Sequence, residues 1–306
     1  MNSSLKLTAL ATLLIGGGTA FAGSANVCQL TSQDALRSCK IGAQSDSQLA
    51  VGMCANLSAP KAQQACNRQA QADFHSAVVS CNDQFTSRQQ ICQDVGSGPF
   101  DPAIDPANFT TTIDNPYFPL KPGTTLIYEG PTSAGFIHTE FAVTTNTKII
   151  DGVTTVEVHD QVFTDGALTE DTLDWFAQDF IGNVWYFGED SAELVNGRVT
   201  SLGGSWQAGV NRAKPGIVMQ AQLTVKTFYR QEFALGTAED TAGILTLDQT
   251  VTVPEGTFLH CLQTEEITGL EPGALENKFY APGVGNVQTI DLVTGDTFPL
   301  VSIVTK

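Results

Sequence analysis

Positive charge is scarce in this sequence. Of its 306 residues, 15 are Lys or Arg and 32 are Asp or Glu, which gives a formal net charge of −17. Nucleic acids and anionic membrane surfaces are bound through cationic patches, so the charge balance argues against both as partners. It is typical either of a well-solvated acidic surface or of a protein that binds cations or basic partners.

Long apolar runs are also missing. Beyond residue 22 no stretch reaches the roughly 18 apolar residues that a membrane-spanning helix needs, and no membrane span is predicted. Residues 1–22 combine Lys6, a short apolar run from Leu7 to Gly18 and a small-x-small site ending at Ala22. This pattern indicates a secretory signal peptide, cleaved after Ala22, and a secreted or periplasmic protein.

Several signatures of enzymes and metal proteins do not occur. The sequence has no Cys-x2-Cys pair for zinc, no Gly-x-Ser-x-Gly elbow and no phosphate-binding loop. Cys261 follows His260 in a predicted strand, where adjacent side chains point to opposite faces, so the two do not form a catalytic dyad. Cys261 is interpreted as a buried, inert thiol, and no catalytic residue is designated.

Six of the seven cysteines follow a symmetric spacing. They are separated by 10, 14, 11, 14 and 10 residues, and the mirror point of the series is Pro60. An antiparallel helical hairpin that turns at Pro60 would bring facing cysteines within disulfide range. Other pairings are open, and symmetry alone favours Cys28–Cys92, Cys39–Cys81 and Cys54–Cys66. We therefore predict a cysteine-rich helical hairpin over residues 23–95, in an oxidising compartment.

The remainder of the chain has the pattern of an antiparallel β domain. Prolines and glycines break regular structure over 96–108, which is predicted to be a linker. Over 109–306, turn signals such as Asp151-Gly152 and Asp165-Gly166 alternate with strand-like runs such as Val153–Thr164. About nine to eleven strands are expected, curled into a half-barrel or packed as a two-layer sheet. The predicted fold class is α+β, with a disulfide-linked αα-hairpin preceding this domain.

Five segments of the β domain carry a resemblance to other proteins. They are NPYFPLxPG (115–123), DWFAQD (174–179), GNVWYFGE (182–189), VPxGxF (253–258) and YAPGVG (280–285). These motifs resemble an uncharacterised family of secreted bacterial β-rich proteins, and they are similar to periplasmic lipoprotein-carrier-like half-barrels. The resemblance implies a β-rich fold and a secreted location, and it implies no catalytic residues.

The strongest candidate site lies on the hairpin around Gly182-Asn183. A two-residue turn there would place Asp174 opposite Ser191, with acidic diagonal neighbours on the same sheet face. The predicted ligand-binding residues are Asp174, Gln178, Trp185, Glu189 and Glu193. Oxygen ligands suit Ca²⁺, and the predicted calcium ligands are Asp174, Glu189 and Glu193. A polar ligand groove, a general acid–base pair and a solvated sheet face are the alternatives. A register slip of one residue would break the cluster.

Three functions are compatible with these features. The first is a non-catalytic binding or carrier protein for a small-molecule or lipid-like ligand, with Ca²⁺ as the candidate cofactor. The alternative is a structural or surface module that self-associates, or docks on an envelope partner, through the helical hairpin. The least favoured is a hydrolase that uses the carboxylates of Asp174, Glu189 or Glu193.

Overall fold

Two antiparallel helices form the cysteine-rich region. The computed structural model describes residues 26–305; the predicted signal peptide, 1–22, lies outside them. Helix α1 spans Val27–Ala55 and helix α2 spans Pro60–Val95. The Asn26 side chain caps α1 by accepting from the backbone N–H of Gln29 at 2.9 Å. Pro60 occupies the first position of α2, where a helix does not need an N–H donor.

Three disulfides cross-link this hairpin. They join Cys28 to Cys92, Cys39 to Cys81 and Cys54 to Cys66, with Cα–Cα distances of 5.7, 5.8 and 5.5 Å. These are the three pairs that the mirror spacing predicts. The helices bury few large apolar side chains, so the cross-links stabilise the hairpin by restricting its unfolded state. Cys261 is buried and forms no disulfide.

Neither helix within residues 26–305 contains a segment that is both apolar enough and long enough to cross a membrane.

The chain after the hairpin forms a 3-10 turn at Pro106–Asn108 and sixteen strand segments within the described residues. The strands are β1 (Phe109–Thr110), β2 (Thr124–Thr132), β3 (Gly135–Ile150), β4 (Val153–Thr164), β5 (Ala167–Asp179), β6 (Val184–Val195), β7 (Arg198–Ser201), β8 (Trp206–Gln207), β9 (Lys214–Met219), β10 (Phe228–Arg230), β11 (Glu232–Phe233), β12 (Asp240–Val253), β13 (Gly256–Thr268), β14 (Glu276–Ala281), β15 (Gly285–Asp291) and β16 (Thr297–Thr305).

These strands form one antiparallel sheet that curls into a nearly closed barrel. Its order is β10, β12, β13, β14, β15, β16, β2, β3, β4, β5, β6, β9 and β11, with β1 beside β5 and with β7 and β8 beside β6. Strands β9 and β10, from opposite ends of this order, contact each other. The predicted α+β fold, a helical hairpin followed by an antiparallel β domain, is confirmed.

Several hairpin turns lie where the sequence predicts them. Asp151, Asp165 and Asn196 have φ of 49°, 50° and 52°, and each is followed by a glycine with positive φ. Two successive left-handed residues match the turns that join tightly paired, twisted strands, and Asp-Gly and Asn-Gly adopt them at low cost. Strand β4 accordingly has the predicted bounds, Val153–Thr164.

The predicted two-residue turn at Gly182-Asn183 is wrong, because the Asp179 carboxylate organises a longer turn. Its Oδ1 accepts from the backbone N–H groups of Ile181, Gly182 and Asn183 at 3.0, 2.9 and 2.9 Å. Its Oδ2 accepts from the Trp185 indole N–H at 2.8 Å. The chain therefore reverses between Asp179 and Asn183, and Val184, the first residue of β6, pairs with Gln178 instead of Ile181.

A β-bulge on β6 changes the register a second time. Asp174 pairs with Glu189, and not with Ser191 as predicted. The pairing shifts between Trp175 and Phe176, where β6 has one residue more than β5. Gly188 permits this bulge: its φ is 143°, and an added Cβ would lie 2.5 Å from the Trp206 carbonyl oxygen.

The barrel interior is filled at one end and hollow at the other. Along β4, Val156 and Val158 belong to a buried apolar cluster, whereas Asp160 and Val162, next on the same face, line a cavity. The segment 113–120 covers the apolar end, with Ile113 and Leu120 buried in its core. The architecture thus leaves interior space only where the inward positions become polar.

The base of the hairpin is tied to the barrel by a buried ion pair. Arg88 on α2 donates from Nε and Nη2 to the two carboxylate oxygens of Glu239 at 2.8 and 2.9 Å. The two side chains are 5% and 2% exposed. A Cβ at Gly269 would lie 2.7 Å from the Glu239 carboxylate, so glycine leaves room for the pair. The intervening segment 96–108 also packs on the barrel, where Phe100 meets Phe233 with ring centroids 6.0 Å apart.

Candidate ligand-binding site

The hollow end of the barrel encloses a cavity of about 600 Å³. Small-molecule sites in proteins generally fall in this size range. The lining combines aromatic rings with eight carboxyl groups and one lysine. The carboxyl groups belong to Asp160, Glu170, Asp174, Glu189, Glu232, Asp240, Glu266 and Glu276, and the lysine is Lys278. Carboxylates predominate over ammonium groups inside the protein even more than on its surface.

Asp174, Tyr186 and Glu189 form the centre of the acidic wall. Asp174 on β5 is 7% exposed and pairs across the sheet with Glu189 on β6. The Tyr186 hydroxyl lies 2.5 Å from Oδ1 of Asp174 and 3.2 Å from Oε2 of Glu189. One hydroxyl has one hydrogen to donate. Both contacts are therefore hydrogen bonds at the same time only when one of the two carboxyl groups carries a proton.

The electrostatics of this pair favour such a shared proton. Burial raises the pKa of Asp174 to about 7, even though the Tyr186 hydrogen bond acts in the opposite direction. Burial, followed by the negative charge of Asp174, raises the pKa of Glu189 to about 8. Near neutral pH the pair consequently holds a proton that two exposed carboxyl groups would have released.

Asp160 presents an unsatisfied acceptor. Its Oδ1 is buried and has no hydrogen-bond partner among the described residues. Burial, reinforced by the charge of Asp174, raises the pKa of Asp160 well above its usual range. Buried polar atoms in folded proteins nearly always have a partner, and one without a partner costs stability. This carboxyl therefore offers a hydrogen-bonding position to a polar group that enters the cavity.

Lys278, on β14, is already paired. Its ammonium lies 2.7 Å from the Glu266 carboxylate and 3.6 Å from the Glu276 carboxylate. Burial alone would lower the pKa of Lys278, but these two carboxylates outweigh it and raise that pKa. The Tyr280 hydroxyl also donates to Glu266, at 3.1 Å. The one cationic side chain that lines the cavity in the described part of the chain thus neutralises the far wall, not the Asp174–Glu189 pair.

Aromatic rings form the floor between the acidic cavity and the apolar core. Phe118, from the segment that covers the apolar end, contacts Phe141, Phe176 and Tyr280 with centroid distances of 6.4, 5.5 and 6.4 Å. Phe176 stacks on Tyr186 at 4.8 Å. A ligand in the cavity would therefore meet apolar ring surface directly beside the carboxyl groups of Asp174 and Glu189.

The structure separates the five predicted ligand-binding residues. Asp174 and Glu189 line the cavity. Gln178 shares the face of Asp174 but lies at the apolar end, where its Oε1 accepts from the backbone N–H groups of Asp114 and Asn115 at 3.0 and 2.8 Å. Gln178 therefore holds the covering segment in place and does not contribute to the cavity lining.

The other two predicted ligand-binding residues, Trp185 and Glu193, do not line the cavity. Trp185 lies on the opposite face of the sheet, against Phe109 and the Asp179 turn, because the bulge reverses the alternation along β6. Glu193 pairs with Glu170 near the end of β6, and its side chain is exposed and absent from the cavity lining. The shared face predicted for Trp185 with Asp174 is therefore wrong, whereas Glu193 shares that face, opposite Glu170, but lies beyond the cavity.

The predicted calcium ligands do not come together. Within residues 26–305, no group of three or more His, Cys, Asp or Glu side chains is arranged to hold a metal ion. Asp174 and Glu189 face each other through the Tyr186 hydroxyl, while Glu193 lies outside the cavity. The pair has the chemistry to donate a proton from one carboxyl, to accept one at the other, and to bind a cationic hydrogen-bond donor between them.

Sequence reasoning missed Asp160, Tyr186, Glu266 and Lys278. Two of them follow apolar inward residues on the same strand face: Val158 precedes Asp160, and Leu262 precedes Glu266. That alternation is visible in the sequence. The convergence of these strands is not, because β4 and β13 lie far apart in the chain and meet only through closure of the barrel.

No protein-family model, no curated protein and no solved structure matches this chain. Its fold and cavity define an α+β protein in which a disulfide-linked helical hairpin is attached to a nearly closed antiparallel barrel with an acidic interior.

Proposed function

We propose that this protein is a secreted or periplasmic, non-catalytic binding or carrier protein that holds a small organic ligand inside the barrel. The observation that carries the proposal is the cavity of about 600 Å³, which is closed at one end by an aromatic floor. Small barrels fill their interior with side chains, whereas barrels of more strands enclose ligand cavities. Interior space lined by a few polar groups and aromatic rings is typical of ligand sites.

The geometry favours binding over hydrolysis. A carboxylate-based hydrolase needs one carboxyl group placed to protonate a leaving group and another placed to attack or to activate water. In this protein the Tyr186 hydroxyl lies between Asp174 and Glu189 and engages one oxygen of each. The pair is thus organised around an internal hydrogen bond, which is an arrangement for holding charge in place.

The location outside the cytoplasm has two supports. Three disulfides within residues 26–305 are typical of oxidising compartments, where they form and persist. The pattern of residues 1–22, with Lys6, an apolar run and a small-x-small site, is that of a secretory signal.

A cavity-filling variant tests the proposal. The full chain is titrated with the neutral aromatic fluorophore N-phenyl-1-naphthylamine, and we expect saturable binding of one probe per chain. Val162 lines the cavity, and Val162→Phe should weaken binding by about tenfold or more because the new ring takes the space of the probe. Thr154 is exposed on the same strand, and the control Thr154→Phe should bind as the parent does.

Two results would reject the proposal. The first is the absence of saturable probe binding to the folded parent protein. The second is equal probe affinity for Val162→Phe and Thr154→Phe when both variants keep the melting temperature of the parent.

The structural alternative places the function in the hairpin. Ile41, Leu49 and Met53 are large apolar side chains on α1 that are 68%, 65% and 68% exposed. The partner that this alternative names is a second copy of the chain. Sedimentation velocity on the full chain distinguishes it: a concentration-dependent dimer that dissociates when all three residues become serine supports the alternative, and a monomer at all concentrations rejects it.

A further inference from the structure

The charge inside the barrel is not balanced by the protein itself. Lys278 is engaged by Glu266 and Glu276, so its ammonium compensates the far wall. Among the described residues that line the cavity, no Lys or Arg acts on Asp174 and Glu189, whereas the Lys278 charge also reaches Asp160. Like charges enclosed together repel strongly, and a bound cation would relieve that repulsion.

Asp160 provides a second, independent indication of the ligand's chemistry. Its buried Oδ1 has no donor within the described part of the chain. An ionised Asp160 can only accept hydrogen bonds, so its partner in that state is an N–H or O–H group, and a nearby cation opposes the raised pKa of Asp160 and favours that ionised state. An ammonium group supplies three such donors and also a positive charge, whereas a carboxylate or phosphate on the ligand would add acceptors to a wall that already has too many.

The aromatic floor indicates what the rest of the ligand is like. Phe118 and Phe176 present ring surface next to the carboxyl groups, and Phe176 stacks on Tyr186 at 4.8 Å. A bare metal ion would leave this surface and most of the cavity unused. A molecule with an apolar or aromatic body would bury it, with a gain of roughly 25 cal/mol for each Å² of apolar surface removed from water.

We propose that the ligand is an organic ammonium ion, bound with its charged group between Asp160, Asp174 and Glu189 and its apolar body on the floor formed by Phe118 and Phe176. This inference rests on the proposed binding function and specifies the ligand for the same cavity. It narrows the expected ligand from any small or lipid-like molecule to an amine, and it makes fatty acids and other anions poor ligands.

A matched series of probes tests the charge requirement. 4-Phenylbutylamine, 4-phenylbutanol and 4-phenylbutyrate share one apolar body and differ at one end. Isothermal titration calorimetry is carried out on the full, oxidised chain at about pH 8.5, above the raised pKa values of Asp174 and Glu189. The amine should bind about tenfold or more tightly than the alcohol, because hydrogen bonds between two charged groups are stronger than those of a neutral hydroxyl to a carboxylate. The butyrate should bind most weakly.

Isosteric variants assign the effect to the named carboxyl groups. Asp174→Asn and Glu189→Gln should each weaken the amine by about tenfold while changing the affinity for the alcohol by less than about twofold. Glu193→Gln, on β6 with Glu189 but outside the cavity, is the matched control and should leave all three affinities unchanged.

The outcomes separate this inference from the proposed function. If the alcohol or the butyrate binds at least as tightly as the amine, or if Asp174→Asn and Glu189→Gln bind the amine as the parent does, the ammonium inference is overturned and binding in the cavity stands. If the folded parent binds none of the three probes and N-phenyl-1-naphthylamine also fails to bind, both are overturned.

Discussion

The same strands build both ends of the barrel interior, one end from apolar side chains and the other from acidic side chains. On β13, Leu262 is fully buried in the apolar core, and Glu266 lies four residues further along the same face in the cavity. On β4, Val158 and Asp160 make the same change over two residues. The apolar end stabilises the fold, whereas the acidic end places costly groups inside it. Where a protein retains such a cost at one location, function is the best explanation.

Approximate magnitudes support this division of roles. Full burial of an aliphatic side chain such as Val158 contributes about 1.5–3 kcal/mol. Each unit by which a buried carboxyl pKa is raised corresponds to about 1.4 kcal/mol of cost to its charged form. Asp174 and Glu189 therefore oppose folding at alkaline pH by amounts comparable with the gain from single core residues.

The largest expected loss of stability comes from placing an acidic side chain in the apolar end of the barrel. Val158 and Val162 occupy the same face of β4, the first in the core and the second in the cavity. Val158→Asp should lower the free energy of unfolding by about 4 kcal/mol or more, because an unpaired carboxyl group is buried among apolar atoms. At about pH 5, where the raised pKa values keep the cavity wall largely protonated, Val162→Asp should cost only about 1–2 kcal/mol, because cavity water can solvate an uncharged carboxyl group.

Urea denaturation measures both changes. If Val158→Asp does not fold, Val158→Thr provides the comparison, with an expected loss of about 1–3 kcal/mol for a buried hydroxyl. Equal losses at positions 158 and 162 would contradict the division of the interior into two ends.

The pH dependence of stability is the next largest effect. The raised pKa values of Asp174, about 7, and of Glu189, about 8, mean that the folded chain retains protons that the unfolded chain releases above about pH 4. Their contribution is fully present below that pH and is lost as the pH rises through 7 and 8. The free energy of unfolding should fall on the order of 2–4 kcal/mol between about pH 5 and pH 8.5.

Denaturation midpoints across this pH range provide the measurement. Glu189→Gln should flatten the decline, because glutamine does not titrate, and the exposed control Glu193→Gln should follow the parent. A parent curve that rises from pH 5 to pH 8.5, or a Glu189→Gln curve that falls as steeply as the parent's, would contradict the raised pKa values.

The Tyr186 hydroxyl provides a smaller test. Its hydrogen bonds lower the pKa values of both Asp174 and Glu189 against the effect of burial. Tyr186→Phe should therefore raise the pKa of Asp174 further, by about one unit, and cost about 1–2 kcal/mol of stability. Carbon-13 NMR titration of the carboxyl groups measures the shift. The matched control is Tyr128→Phe, which removes a cavity hydroxyl that bonds to Asn286 and should leave the pKa of Asp174 unchanged.

The smallest effect is expected at Glu193. Since its side chain is exposed and lies outside the cavity, Glu193→Gln should change the free energy of unfolding by less than about 0.5 kcal/mol. A larger loss in urea denaturation would show that Glu193 belongs to the acidic wall after all.

Local patterns allowed the hairpin and most long strands to be predicted from the sequence. The symmetric cysteine spacing gives the disulfide pairs because helix geometry is regular, and Asp151-Gly152 and Asp165-Gly166 give tight turns through their own backbone preferences. The acidic residues Asp174 and Glu189 were identified, but as diagonal neighbours in a calcium site. The side chain of Asp179 lengthens the turn and the bulge beside Gly188 shifts the pairing, and neither follows from alternation alone.

The composition of the cavity could not be predicted for a different reason. Asp160, Glu266 and Lys278 meet only because β16 pairs with β2 and thereby joins the two halves of the sheet. Such closure depends on contacts between residues that are distant in the chain, whereas the sequence patterns depend only on residues that are close in the chain. The apolar end is less sensitive to this closure, since any inward aliphatic residue can fill a core.

A crystal structure of the full chain grown with 4-phenylbutylamine would show directly where an ammonium ligand binds. We expect the ligand nitrogen inside the barrel, within hydrogen-bond distance of Asp174 or Glu189 and of the orphan Oδ1 of Asp160, with its ring on Phe118 and Phe176. A cavity filled by reorganised side chains, or an amine bound only on the protein surface while the barrel interior stays empty of ligand, would contradict this expectation.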